Sequence, residues 1–140
     1  MSKKKISQLV HRYADAVVHK DSNQWISTWA KNSIWDLGND RIIKGRKQIQ
    51  EYWEASMENF VKVIQTVANG DATLGSERGI GRWYFQEIFE KIDGKKGILV
   101  AHYQDQYISV KDEWLFAERK LCIHYKEPSG LTGDFNDEAN

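Results

Sequence analysis

The chain has 140 residues, 20 Lys plus Arg against 20 Asp plus Glu, six tryptophans and one cysteine, and its calculated pI is 6.9. That length suits one domain. The balanced charge argues against a nucleic-acid partner, the absence of any run near the roughly 18 apolar residues needed to span a bilayer argues against membrane insertion, and a lone Cys122 excludes an internal disulfide.

The basic start Met1-Ser2-Lys3-Lys4-Lys5 is followed by Ile6-Ser7-Gln8-Leu9-Val10-His11-Arg12, which lacks the apolar stretch of a signal peptide, so the expected location is cytoplasmic. Ile6, Leu9, Val10, Tyr13, Ala16 and Val17 recur at steps of three and four, predicting a helix to about His19. Asp21-Ser22-Asn23 supplies N-cap chemistry for a short second helix carrying Trp25, Ile26 and Trp29. Ser33 to Leu37, the turn Gly38-Asn39-Asp40 and Arg41 to Lys44 read as a hairpin ended by Gly45. Ile49, Tyr52, Trp53, Met57 and Phe60 then return to helical spacing from Arg46 to about Phe60.

Four long strands follow, Val61 to Leu74, Ile80 to Asp93, Ile98 to Lys111 and Trp114 to Tyr125, separated by Gly-bearing or charged turns. Antiparallel strands of this length must twist and curl, so one face becomes concave and the helices close over it. The predicted fold is therefore α+β, a cone-like barrel of curved antiparallel sheet with three N-terminal helices enclosing a pocket. The domain is expected over residues 1–128. Residues 129–140 are Gly-rich, acidic and without periodicity, the composition of a flexible tail, although Leu131 and Phe135 could fold back as a lid over the cavity mouth.

The element order, with Arg12-Tyr13-Ala14-Asp15-Ala16-Val17, the segment from Trp25 ending Ile34-Trp35-Asp36-Leu37, Gly45-Arg46, Gly81-Arg82-Trp83-Tyr84, and Tyr103-Gln104-Asp105-Gln106-Tyr107 leading to Trp114-Leu115-Phe116-Ala117, resembles the SnoaL-like branch of the nuclear transport factor 2 superfamily. The resemblance spans roughly Ile6 to Tyr125. It implies a pocket lined by Tyr13, Val17, Val18, Trp35, Phe60, Gln65, Trp83, Phe85, Tyr103 and Arg119. Dehydrochlorinases and dehydratases of that superfamily use an Asp and a His across the pocket, the His held in one tautomer as a base. Laid on those positions this chain carries Val18 and Gln65, so the familiar acid–base pair is absent.

The residues leave several alternatives open. The period of two puts Trp83 and Phe85 on one face, and Leu99, Ala101, Tyr103 and Asp105 on one face, but pocket lining and plain core packing fit that pattern equally. Arg119 is a candidate for stabilising an enolate, carboxylate or phenolate, and Tyr13 and Tyr103 for orienting a carbonyl. Asp36, Asp105 and His102 are candidates for a base, with a surface salt bridge or an outward-facing ring as the competing reading. Cys122 and His124 lack a second pair of ligands for a metal, and neither a phosphate loop nor a nucleophilic triad is present, so no metal and no cofactor are expected.

Three functions fit: a lyase or isomerase of dehydratase or cyclase type acting on a small hydrophobic molecule, a noncatalytic ligand carrier, or an association module. A homodimer or homotrimer is expected, with Tyr84, His102 and Tyr107 on the convex face as its interface.

Overall fold

The computed structural model describes residues 2–136. Three helices, α1 (Ser2–His19), α2 (Ser22–Ile26) and α3 (Arg46–Met57), and six strands, β1 (Trp29–Asp36), β2 (Ile42–Lys44), β3 (Phe60–Leu74), β4 (Arg78–Lys91), β5 (Lys96–Val110) and β6 (Glu113–Glu127), follow the predicted order. The strands form one sheet in the order β2-β1-β6-β5-β4-β3. The fold class is the α+β one expected, but the curved sheet stays open, with β2 and β3 as free edges. The pairing of β1 with β6 is parallel, while all other neighbours are antiparallel.

Two helix ends differ from the periodicity, and in both cases the sheet wins the boundary. Asp21 caps α2 by accepting from the Gln24 amide at 3.0 Å, but the helix stops at Ile26, and Trp29 opens β1 because the Thr28 carbonyl accepts from the Phe116 amide at 2.8 Å. Likewise α3 ends at Met57, and Phe60 pairs with Lys91 as the first residue of β3. At the β5–β6 hairpin Lys111 and Asp112 both adopt positive φ, 52° and 64°, the two-residue turn whose twist matches that of the strands it joins.

The apolar face of α1 lies on the concave sheet, burying Ile6, Leu9, Val10, Tyr13 and Val17. Trp25, Trp29, Trp35 and Trp53 form the wall under α2 and α3, with Trp25 stacked on Trp53 at 4.5 Å. Truncating a ring so placed costs about 3–5 kcal/mol. On the other side, β3 shifts register between Val67 and Gly70, and a Cβ at Gly70 would stand 2.4 Å from the Trp83 indole. Gly70 thus lets the Trp83 ring lie flat against strand backbone.

Beyond Pro128 the chain turns back: the Leu131 amide donates to the Lys96 carbonyl at 3.2 Å, and Lys96 Nζ donates to the Gly133 carbonyl at 2.8 Å. Leu131 and Phe135 face a cleft of about 520 Å³ shared with Val18, Val63, Ile64 and Ile88. Because Ile64 and Ile88 belong to the outward face of their strands, this cleft wraps the β3 side of the sheet rather than capping the cone. Residues 137–140 of the expected tail lie outside the described residues. Among the described residues, no helix is long and apolar enough to cross a membrane.

Candidate functional site

Side-chain alternation and register build the site. On β4 the inward residues are Trp83, Phe85, Glu87 and Phe89; they oppose Tyr103, Ala101, Leu99 and Gly97 on β5. On β3, Gln65 opposes Glu87, and on the far side Asp105 opposes Arg119, which in turn pairs with Trp35. Helix α1 places Tyr13 over this surface, its hydroxyl 3.3 Å from that of Tyr103. The Tyr103 ring stacks on Phe85 at 5.0 Å and 14°. Burial raises both phenols above their ordinary range: for Tyr13 the neighbouring Tyr103 adds to the effect, and for both the Arg119 charge pulls against it.

Arg119 is buried and engaged by Asp105. Its Nε donates to Asp105 Oδ1 at 2.7 Å and a terminal nitrogen to Oδ2 at 3.1 Å, while its guanidinium carbon lies 4.0 Å from the Tyr103 ring centre, 4.1 Å from Phe116 and 4.5 Å from Tyr13. This is a bidentate fork clamped between aromatic faces. Burial works against its charged form, but Asp105 and the tyrosines outweigh it and hold the guanidinium protonated. Arg119 therefore lies behind the tyrosine rings. The expectation that it would itself bind a substrate anion gives way to this pairing with Asp105.

Asp105 is equally committed. Besides Arg119 it accepts from the Tyr107 hydroxyl at 2.9 Å, and that hydroxyl accepts from Trp83 Nε1 at 3.0 Å. Burial pushes the carboxyl up, with Arg119 and the two sets of hydrogen bonds pulling back. A carboxylate with three donors on its oxygens has little capacity left to accept a proton from a substrate, so Asp105 is a poor base. Tyr107, expected on the convex face, is 1 % exposed and faces inward, because it shares the parity of Tyr103 and Asp105.

The Glu87–Gln65 pair, nearer β3, is different. Glu87 is half-buried, and protein crowds it closely enough to desolvate its carboxyl. Phe60, Gln65, Val67, Leu99 and Leu121, on the same face or packed against the core, are likewise only partly buried. Gln65 Nε2 donates to Glu87 Oε2 at 3.1 Å. Burial raises the Glu87 carboxyl above the usual carboxylate range and the Gln65 contact offsets only part of this. Sequence reasoning passed over Glu87, although its position two residues beyond Phe85 on an inward parity was the available signal.

The remaining expected residues divide between core and outside. Trp35 is buried beside Tyr103, and its indole N–H lacks a well-formed partner. Trp83 and Val17 are core, and Phe60 packs edge-on against Phe89 at 5.4 Å. Val18 is half-buried and borders the cleft beside Leu131. Asp36 does not join the site: its Oδ1 accepts from the Gly38 amide at 3.0 Å and shapes the hairpin turn. His102 points to the outer face, where its Nδ1 lies 2.6 Å from His124 Nε2 and both rings pack near Tyr84. Burial, then His124 and Arg82, lower the His102 pKa. Among the described residues no three His, Cys, Asp or Glu side chains are grouped to hold a metal ion.

A curved open sheet under three helices, with aromatic rings packed on its concave face, defines a nuclear transport factor 2-like fold. The SnoaL-like domain model matches residues 2–120, and the chain belongs to the SnoaL-like family. The crystal structure of LinA is similar in fold, with a TM-score of 0.87 at 17 % identity over 95 % of this chain and 92 % of that one. So are the hexachlorocyclohexane dehydrochlorinase LinA-type3 of Novosphingobium barchaimii (0.81, 13 %, 95 % and 93 %) and a candidate scytalone dehydratase of Novosphingobium aromaticivorans (0.84, 15 %, 92 % and 88 %). No curated protein sequence matches the chain.

Proposed function

We propose that this protein binds a small hydrophobic, cyclic molecule bearing a carbonyl or phenolic oxygen, and transforms it as a lyase or isomerase by proton transfer without a cofactor. The observation that carries the reading is the convergence of polar hydrogens on one spot in an apolar interior. The Tyr13 and Tyr103 hydroxyls lie 3.3 Å apart, so their mutual bond uses one proton and leaves the other to donate. The buried Trp35 N–H is directed at the Tyr103 hydroxyl, and the Arg119 charge stands behind both rings. A substrate oxygen gaining negative charge is stabilised by such fixed donors in a dry setting. The names of the similar structures, a dehydrochlorinase and a candidate dehydratase, describe eliminations and support the lyase reading by analogy of fold.

The test is binding of 2-naphthol, a planar phenol that mimics an enol. Tyr103→Phe, with its fold checked by circular dichroism, is expected to weaken binding about tenfold, as one lost hydrogen bond of about 1.4 kcal/mol requires. Equal affinity of the two proteins rejects the oxygen site.

A second reading, a noncatalytic carrier, is favoured by Val18 and Gln65 standing where the resemblance places the acid–base pair. It predicts a compound recovered chemically unchanged after incubation, whereas a transformed product excludes it. Both readings include a cytoplasmic protein associating as a dimer or trimer, and a monomer by light scattering at micromolar concentration contradicts the latter.

A further inference from the structure

We propose that Glu87 is the general base of this recess, removing a proton from the carbon beside the carbonyl of a small cyclic ketone whose oxygen is held by Tyr13 and Tyr103. The assignment deepens the lyase or isomerase reading above and rests on it.

Geometry makes the case. Glu87 shares the inward face of β4 with Phe85, whose ring stacks on Tyr103. Tyr103 stands opposite Trp83, and Phe85 lies between that position and Glu87 on the same face of β4. Both phenols sense the Glu87 charge, which places all three groups around the same interior volume. Among the described residues Gln65 is the one hydrogen-bond partner of Glu87, and no cation offsets its burial. Its carboxylate therefore keeps lone pairs available, in contrast to that of Asp105.

The chemistry also fits. A carboxyl pushed up by burial titrates nearer the working pH, where a base is strong enough to take a carbon-bound proton yet still ionised. Gln65 holds Oε2, and Oε1 accepts no hydrogen bond among the described residues. In the step, the carboxylate takes the α-proton, the C–H electron pair becomes the C=C bond of an enolate, and the carbonyl π pair moves to oxygen beneath the tyrosine hydroxyls. Return of the proton from the Glu87 carboxyl to the γ-carbon of an unsaturated ketone completes an isomerisation. Departure of a β-substituent with its bonding pair completes an elimination, and the proton leaves Glu87 to solvent. No oxidant, metal or co-reactant is required for either balance.

The experiment follows exchange of the α-protons of 2-tetralone in deuterated buffer by NMR, alongside 2-naphthol binding. Wild-type protein is expected to accelerate exchange, with a rate that rises with pH through one carboxyl titration and then levels. Glu87→Gln is expected to lower the rate at least 100-fold, the low end of what a positioned base supplies, while binding 2-naphthol as tightly as wild type or more so. Glu87→Asp, shorter by one methylene, is expected to fall between them. Exchange in Glu87→Gln within threefold of wild type overturns the assignment, and so does a wild-type protein that binds 2-naphthol but gives no exchange above buffer. Indifference of 2-naphthol binding to Tyr103→Phe rejects the oxygen site itself, so that the two failures are read separately.

Discussion

Two carboxylates lie on neighbouring strands of one concave face, Asp105 on β5 and Glu87 further along on β4, and their surroundings could hardly differ more. Asp105 sits at the β5–β6–β1 end with a bidentate guanidinium and a tyrosine hydroxyl on its oxygens, whereas Glu87 sits toward the β3 edge with a single amide. Both are desolvated, so burial alone does not separate structure from chemistry. What separates them is the number of donors. A buried charge whose lone pairs are all engaged holds elements together, and one left mostly unengaged is costly to the fold and available to a ligand.

The largest effect that sharpens this contrast comes from the saturated side. Arg119→Met leaves the Asp105 charge buried without its counterion, and is expected to destabilise the fold by about 3–5 kcal/mol in urea denaturation. A loss below about 1 kcal/mol would mean that the pair is not a fastening. On the unsaturated side the sign reverses. Glu87→Gln removes a desolvated charge but keeps the Gln65 contact, and is expected to raise stability by about 1 kcal/mol at neutral pH. Because the folded-state pKa of Glu87 lies above its unfolded value, its penalty sets in as pH rises through that interval. The gain of the Gln variant should accordingly vanish in acid, and thermal melts at pH 4 and pH 7 test this.

The smallest effect belongs to the outer face. His102 has a folded pKa below its unfolded value of about 6.5, so the unfolded chain binds the proton more readily. The associated stability is fully present above that value and is lost as pH falls below it. His102→Gln is expected to flatten the slope of melting temperature between pH 7 and pH 5 by a few degrees at most, since the pair is partly screened by solvent; an unchanged slope would assign the acid sensitivity elsewhere.

The three helices and the four long strands were legible because their signals are local: Ile6 to Val17 repeat at helical spacing, and the Lys111-Asp112 hairpin is marked by charge between apolar runs. Trp29 and Phe60 were misassigned to helices because each continues a helical spacing while a partner strand, distant in sequence, claims its backbone. The site was legible in its aromatic half. Tyr13, Trp35, Phe85, Tyr103 and Arg119 come together on one face, but the surroundings of Arg119 depend on Asp105 across a strand pair, and pairing register is not visible in one strand. Glu87 was missed for a different reason. A charged residue between Gln86 and Ile88 resembles an ordinary solvated position until the row it occupies is known to face inward.

The parallel seam between β1 and β6 has a further consequence, for the order of assembly. β6 is the last strand in sequence, yet it lies in the middle of the sheet, between the first and the fifth. During synthesis β1 and β2 emerge early and must wait for nearly all of the remaining strands before their principal neighbour exists. The antiparallel succession from β3 to β6 can zip up hairpin by hairpin, while the β1–β6 seam closes a loop across most of the chain and carries the greater entropic cost. Chains lacking β6 would expose the Trp29–Trp35 segment without its cover, and apolar surface exposed in that way is prone to aggregate.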